Sequence, residues 1–246
     1  MLYAVGDIHG ERELLSELLA KLSLTAEDRL VFLGDYVDRG PDASGVVDFL
    51  LDLRERHQCV FLLGNHESMF LDFLGWKGEA YFGGDAFLSN GGDRTLASYG
   101  FFDAQRRGEL FELPEAHRAF YEQCVLWHQD GDYLFVHAGL AQPLLENRDV
   151  QYVLRRSRPE DLLWNRTTGD LPHRLGVTIV YGHTPRQDFE VRHNEPFSIG
   201  IDTGAVYGGP LTAIRLPDET VIQSRWKGAV AVEVESGDVE SGDGVE

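Results

Sequence analysis

Six residues of this chain offer oxygen or nitrogen donors from five short segments bordered by glycine. They are Asp7 and His9 in GDIHG, Asp35 in GDYVDRG, Asn65 in GNHE, His137 in HAG and His183 in GHT. No thiolate joins them. A mixed carboxylate, amide and imidazole set suits Mn²⁺, Fe or Zn²⁺ rather than a soft metal. Six donors are too many for one tetrahedral zinc. They suit two divalent ions with positions left for water, especially if Asp35 serves both. Two such ions would outweigh Asp7 and Asp35 and make the site locally positive inside a chain of net charge −19. A phosphate dianion would then be attracted despite the global charge. Water held between two ions is acidified toward neutrality. In-line attack on phosphorus also needs a proton donor on the leaving side, and His66, next to Asn65, is the candidate.

Each segment follows an apolar run, which places the donors past the C-terminal ends of strands, where open α/β sheets build their sites. Residues 2–6, 29–34 and 58–64 read as strands. Between and after them, residues 11–22, 42–56 and 67–74 carry helical apolar stripes. Strand–helix alternation implies right-handed crossovers and parallel pairing. Residues 75–131 show no clear strand and read as a helical and loop insertion. Strands return at 132–136, 177–181, 197–201, 211–216 and 220–226, with hairpin-like spacings that predict a mixed sheet. The expected fold is α/β: two packed mixed sheets flanked by helices, forming one domain over residues 1–232. The tail Glu233–Glu246 holds six acids and no bases and is expected to be disordered.

Composition narrows the partners. With 41 Asp+Glu against 22 Lys+Arg, the chain lacks the basic surface that nucleic acid or an anionic membrane requires. No run of 18 apolar residues predicts a transmembrane helix. The first residues, MLYAVGDIHGERE, lack a signal-peptide pattern, so a cytoplasmic protein is expected. Cys59 and Cys124 are too few for a disulfide framework. The oligomeric state stays open.

The five motifs, in this order, resemble those of the calcineurin-like metallophosphoesterases, and within them the phosphoprotein phosphatases. The resemblance covers roughly residues 1–75 and 130–216. It implies that Asp7, His9 and Asp35 hold one ion, and that Asp35, Asn65, His137 and His183 hold the other, with Mn²⁺ the expected metal and Fe or Zn²⁺ as alternatives. It pairs His66, the general acid, with Asp38. It makes Arg39 a phosphate clamp. DLLWNR (161–166) resembles the stretch before a second phosphate-binding arginine, which points to Arg166. NGGDRT (90–95) resembles a substrate-side loop, with Arg94 as contact. IDTGAVYGG (201–209) matches a segment near the site, which makes Asp202 and Tyr207 candidate substrate contacts, with a turn role the equal alternative for Asp202.

Three functions compete. GDYVDRG and GNHE look like the protein-phosphatase versions, so the expected activity is phosphomonoester hydrolysis on serine/threonine-phosphorylated protein. The alternative is a symmetric dinucleoside tetraphosphate hydrolase or a promiscuous small-molecule phosphatase. Such hydrolases resemble this chain but typically lack the residue matching Asp38 and carry Asp where Glu67 stands. A non-catalytic metal-binding scaffold ranks below both, because no ligand is missing. GHT lacks the second histidine of the GHxH ending common in phosphodiesterases.

Overall fold

A computed structural model describes residues 1–167, 169 and 171–225 of the chain. The chain opens with β1 (Leu2–Val5), α1 (Arg12–Lys21), β2 (Arg29–Phe32), α2 (Ala43–Arg54), β3 (Gln58–Phe61) and α3 (Asn65–Phe73). The middle adds α4 (Gly92–Ser98), α5 (Phe101–Arg107) and α6 (Glu115–Glu122), then β4 (Trp127–Asp130) and β5 (Tyr133–Val136). Next come α7 (Val150–Arg156), α8 (Pro159–Trp164), β6 (Thr178–Tyr181), β7 (Arg192–Asn194), β8 (Ser198–Gly200), β9 (Thr212–Leu216) and β10 (Thr220–Gln223).

Two five-stranded mixed sheets result, ordered β10-β9-β1-β2-β3 and β4-β5-β6-β8-β7. In the first, β1, β2 and β3 are parallel, and β9 and β10 antiparallel. In the second, β5, β6 and β8 are parallel, with β4 and β7 as antiparallel edges. Side chains alternate between faces along each strand. Leu2 and Ala4 therefore meet Phe135, Val180 and Ile199 between the sheets. Tyr3 and Val5 point the other way, into a core with Leu14, Leu18 and Val46 of α1 and α2. On the outer face of the second sheet, Leu134, Val136 and Ile179 pack with Val153 of α7 and Leu162 of α8. Strands buried on both faces explain why the motif-bearing runs read as continuously apolar.

Five elements differ from the sequence reading. β4, sequence WHQD, lies inside the segment expected to hold no strand, and β7 reads RHN. Both are polar edge strands, whose outward faces carry no apolar signal. Helices α7 and α8 are short, and Asp149 caps α7 by accepting the Tyr152 N–H at 3.0 Å. Helix α3 begins at Asn65, two residues earlier than its apolar stripe, so Asn65 and His66 occupy its first turn. The tail Glu233–Glu246 and residue 226, the end of the last expected strand, lie outside the described residues. No described helix is long and apolar enough to cross a membrane.

Candidate active site

The sequence-selected residues gather where all six parallel strands end: Asp7 and His9 after β1, Asp35 after β2, Asn65 and His66 after β3, His137 after β5, His183 after β6 and Asp202 after β8. The turns are tight. Among the described residues eight non-glycines have positive φ, and five of these are His9, Asp35, Asp38, Arg39 and His183. Each costs roughly 1–2 kcal/mol of backbone strain, a strain that concentrates at functional sites. Backbone bonds between loops hold it. His9 N–H donates to the Asp35 carbonyl at 2.7 Å, Gly10 N–H to Tyr36 at 2.8 Å, and Gly182 N–H to His137 at 2.8 Å. Gly34, at φ 100°, is required by space as well as by conformation. A Cβ there would meet the Gly64 nitrogen at 2.6 Å.

Asp35 stands at the centre, with one oxygen toward each side. Its Oδ2 is 3.4 Å from His9 Nε2, and its Oδ1 is 3.5 Å from His137 Nε2. The tautomers of both rings follow from their other nitrogens. His9 Nδ1 donates to the Val37 carbonyl at 2.8 Å, and His137 Nδ1 to the Leu33 carbonyl at 2.8 Å. Each neutral ring therefore turns an Nε2 lone pair inward. His137 Nε2 and His183 Nδ1 converge on Asn65 Oδ1 at 3.0 and 2.9 Å. Two groups of donor atoms lie within 4.8 Å of one another: His9, Asp35 and His66, and Asp35, His137 and His183. Asp7 stands outside both. Its two oxygens accept the His183 N–H at 2.9 and 3.1 Å.

The electrostatics match a cation site. Burial pulls His9 down to about 3 and His183 to about 2, and it lowers His137 as well, so all three rings are neutral and free to ligate at pH 7. Burial opposes the charge on Asp35, while the positive charge that the surrounding imidazoles, His137 first, would carry when protonated pulls its carboxyl below the usual range. Burial and the neighbouring Asp202 and Asp35 push Asp7 well above that range. Burial likewise raises Asp202 to about 7. Inward lone pairs and mutually repelling buried carboxylates are the chemistry that divalent ions relieve, so the residues present fit such ions.

Beside this cluster, His66 Nδ1 donates to Asp38 Oδ2 at 2.6 Å. Asp38 Oδ1 accepts the Thr95 hydroxyl at 2.6 Å, and Thr95 Oγ1 accepts the Asp38 N–H at 2.8 Å. All three side chains are buried. Arg39 and Arg166 line a cavity of about 140 Å³ together with His9, Asp35, Asn65, His66, His183 and Asp202. Arg39 Nη1 donates to His9 Nε2 at 2.7 Å, and Arg166 Nη1 to the His183 carbonyl at 3.4 Å. Arg94 is exposed on α4 and does not line the cavity. A groove of about 790 Å³ at the opposite ends of β2 and β3, lined by Arg29, His57 and Cys59, holds none of the sequence-selected residues.

Comparison with known proteins agrees with this geometry. Residues 2–209 match the family described as calcineurin-like phosphoesterase. The chain belongs to that family. A relative from Bacillus mycoides named bis(5'-nucleosyl)-tetraphosphatase PrpE [asymmetrical] is 30% identical, across 88% of this chain and 91% of that one. A crystal structure described as a candidate diadenosine tetraphosphatase is 26% identical with a TM-score of 0.62, covering 92% of this chain and 94% of the other. A serine/threonine phosphatase structure from Saccharomyces cerevisiae, at 18% identity and a TM-score of 0.57, covers 92% of this chain and 79% of its own and shares the fold. Calcineurin-like phosphoesterases are phosphoester hydrolases with a dinuclear divalent metal site, and the groups around Asp35 suit it.

Within this calcineurin-like phosphoesterase, two residues do more than their sequence suggested. Glu67 is fully buried and accepts four backbone N–H groups. Its Oε2 takes those of Asp35 at 2.8 Å and Gly64 at 3.0 Å, and its Oε1 those of Tyr36 at 2.7 Å and Val37 at 3.1 Å. It staples the β2 loop to the start of α3. Thr95, not Arg94, is the residue that NGGDRT sends inward. The signal available in the sequence was helical: α4 starts at Gly92, which turns residue 95 toward the core and residue 94 to solvent.

Proposed function

We propose that the chain hydrolyses dinucleoside tetraphosphates, with two divalent ions, Mn²⁺ foremost, held by Asp7, His9, Asp35, Asn65, His137 and His183. The observation carrying this reading is the pair of donor groups that share Asp35, with His66 of the first group bonded to Asp38 and with Arg39 and Arg166 lining the same cavity. When bound, the ions supply an acidified water and polarise the phosphoryl group. Arg39 and Arg166 hold phosphoryl oxygens and orient the leaving group away from Asp35. His66 gives a proton to the leaving oxygen, and Asp38 fixes its tautomer and supports its charged form.

The substrate reading follows the relatives' printed names over nine-tenths of the chain. It reverses the weight that the sequence put on a phosphoprotein substrate. That weight rested on Asp38 and Glu67. Asp38 serves the proton donor, which any poor leaving group requires, and Glu67 is a backbone staple. Neither touches what lies beyond the phosphoryl group. Within the dinucleotide alternative that the sequence offered, symmetric cleavage also gives way to the asymmetric cleavage in the relatives' names.

The test compares kcat/KM for diadenosine tetraphosphate and a phosphothreonine peptide, with Mn²⁺ restored after chelation. At least a tenfold advantage for the dinucleotide, with AMP and ATP as products, is the expected result. An advantage for the peptide returns the chain to protein dephosphorylation, and two ADP restores symmetric cleavage.

A further inference from the structure

The catalytic cavity is small. Its volume of about 140 Å³ is well below the roughly 300 Å³ at which pockets begin to enclose whole drug-sized ligands. It accepts a phosphoryl group and leaves a nucleoside outside. Whatever recognises the nucleoside must therefore stand on the rim.

One rim segment is built for this. Residues Ala205–Tyr207 form a single 3₁₀ turn between Gly204 at φ 67° and Gly208 at φ 102°. Asp202 accepts the Gly204 N–H at 3.0 Å, and the Tyr207 N–H donates to the Gly204 carbonyl at 2.9 Å, so the turn is anchored to the cavity wall. Among the described residues Tyr207 is the one aromatic other than histidine lining the cavity, and it is 55% exposed. Arg39 already covers one face of the ring, with its guanidinium carbon 5.5 Å from the ring centroid. The exposed area therefore includes the opposite face. A large apolar ring held in water beside a polar site is a stacking surface in need of a flat partner.

Its position also limits what it can hold. Arg39 reaches both the ring, at 5.5 Å, and His9 Nε2, at 2.7 Å. Allowing one guanidinium bond of about 1.3 Å, the ring centroid lies within about 10 Å of that nitrogen.

We propose that the open face of Tyr207 seats one nucleobase of the dinucleotide, and that the phosphate reaching the donor cluster is the α-phosphate of that same nucleoside. This rests on the dinucleotide reading of the site. Only a ribose separates a stacked base from its own α-phosphate, which suits so short a span. For the β-phosphate to react, the α-phosphate as well as the ribose would have to fit between the stacked base and the donor cluster, a longer path than this span favours. Water oxygen then bonds to Pα, and the bond from Pα to its bridging oxygen breaks. That oxygen keeps the electron pair, takes a proton from His66 and leaves as nucleoside triphosphate. The other product is the nucleoside monophosphate.

Calorimetry on the full chain with Mn²⁺ tests the platform by comparing AMP with ribose 5-phosphate, which lacks the base. AMP is expected to bind roughly tenfold more tightly, as base–aromatic stacking gives. The advantage should persist in Tyr207→Phe and vanish in Tyr207→Ala. Equal binding of the two ligands, or an advantage unchanged by Tyr207→Ala, overturns the platform. Hydrolysis of diadenosine tetraphosphate in ¹⁸O-water should place the label in AMP. Label in ATP overturns attack at Pα. If the dinucleotide is not turned over while AMP keeps its Tyr207-dependent advantage, the substrate reading falls and the Pα assignment with it, and the platform stands.

Discussion

His66 and Asp38 are joined by a hydrogen bond of 2.6 Å between two buried side chains, a residue from the first turn of α3 and a residue at φ 71° in the β2 loop. Burial raises the Asp38 carboxyl, while the bonds from His66 and Thr95 counteract it. His66→Asn is expected to slow turnover by about 10²–10⁴-fold on substrates with poor leaving groups. p-Nitrophenyl phosphate, whose leaving group needs no proton, should suffer far less. Equal losses on both substrates would rule out proton donation by His66.

Thr95 gives Asp38 one hydrogen bond and takes another from it. Thr95→Val keeps the shape and leaves a buried N–H and a carboxylate oxygen unpartnered, at a cost of about 1–3 kcal/mol. Thermal unfolding should show the loss, and turnover on poor leaving groups should fall more than on p-nitrophenyl phosphate. Thr95→Ser should restore both. Failure of serine to rescue would show that the methyl group, not the hydroxyl, is what matters.

Asp35 presents one oxygen to His9 and the other to His137. Asp35→Asn exchanges one anionic oxygen for an N–H₂ that repels cations. Elemental analysis of the purified variant should find fewer ions per chain than in the parent, and turnover should be lost. Full metal content with retained activity would remove Asp35 from its central role.

Glu67 accepts its four N–H groups with two oxygens. Glu67→Gln leaves one oxygen and sets an N–H₂ against backbone donors. The two N–H groups left unsatisfied, at about 1–3 kcal/mol each, should lower the unfolding midpoint clearly in urea. An unchanged midpoint would mean that the β2 loop does not depend on this staple.

Asp202 carries a pH-dependent cost in the metal-free protein. Burial raises its carboxyl from 3.8 to about 7 in the fold. The folded state thus binds its proton more tightly than the unfolded chain does, and stability is lost as pH rises from about 4 to 7, by roughly 1.4 kcal/mol per unit. Asp202→Asn retains an oxygen to accept the Gly204 N–H. Under chelator it should unfold at a higher temperature than the parent at pH 8, and the gap should close near pH 4. A gap independent of pH would assign the effect to packing.

Motif order and spacing in the sequence were enough to read the parallel β1–α1–β2–α2–β3 core and to place Asp7, His9, Asp35, Asn65, His66, His137 and His183 at strand ends. The reason is local: apolar runs specify strands, and the residues after them must turn, so donors in those turns share one edge of the sheet. Polar strands β4 and β7 were hidden, because an edge strand is held by a neighbour's backbone and needs no apolar face. What the tertiary structure alone decided were relations across the chain. It made Glu67 a staple for a loop 30 or more residues away, and put Tyr207 against Arg39 on the rim of a cavity too small for a nucleoside. Each depends on which backbone groups and volumes meet after packing, and no spacing along a single strand or helix encodes that.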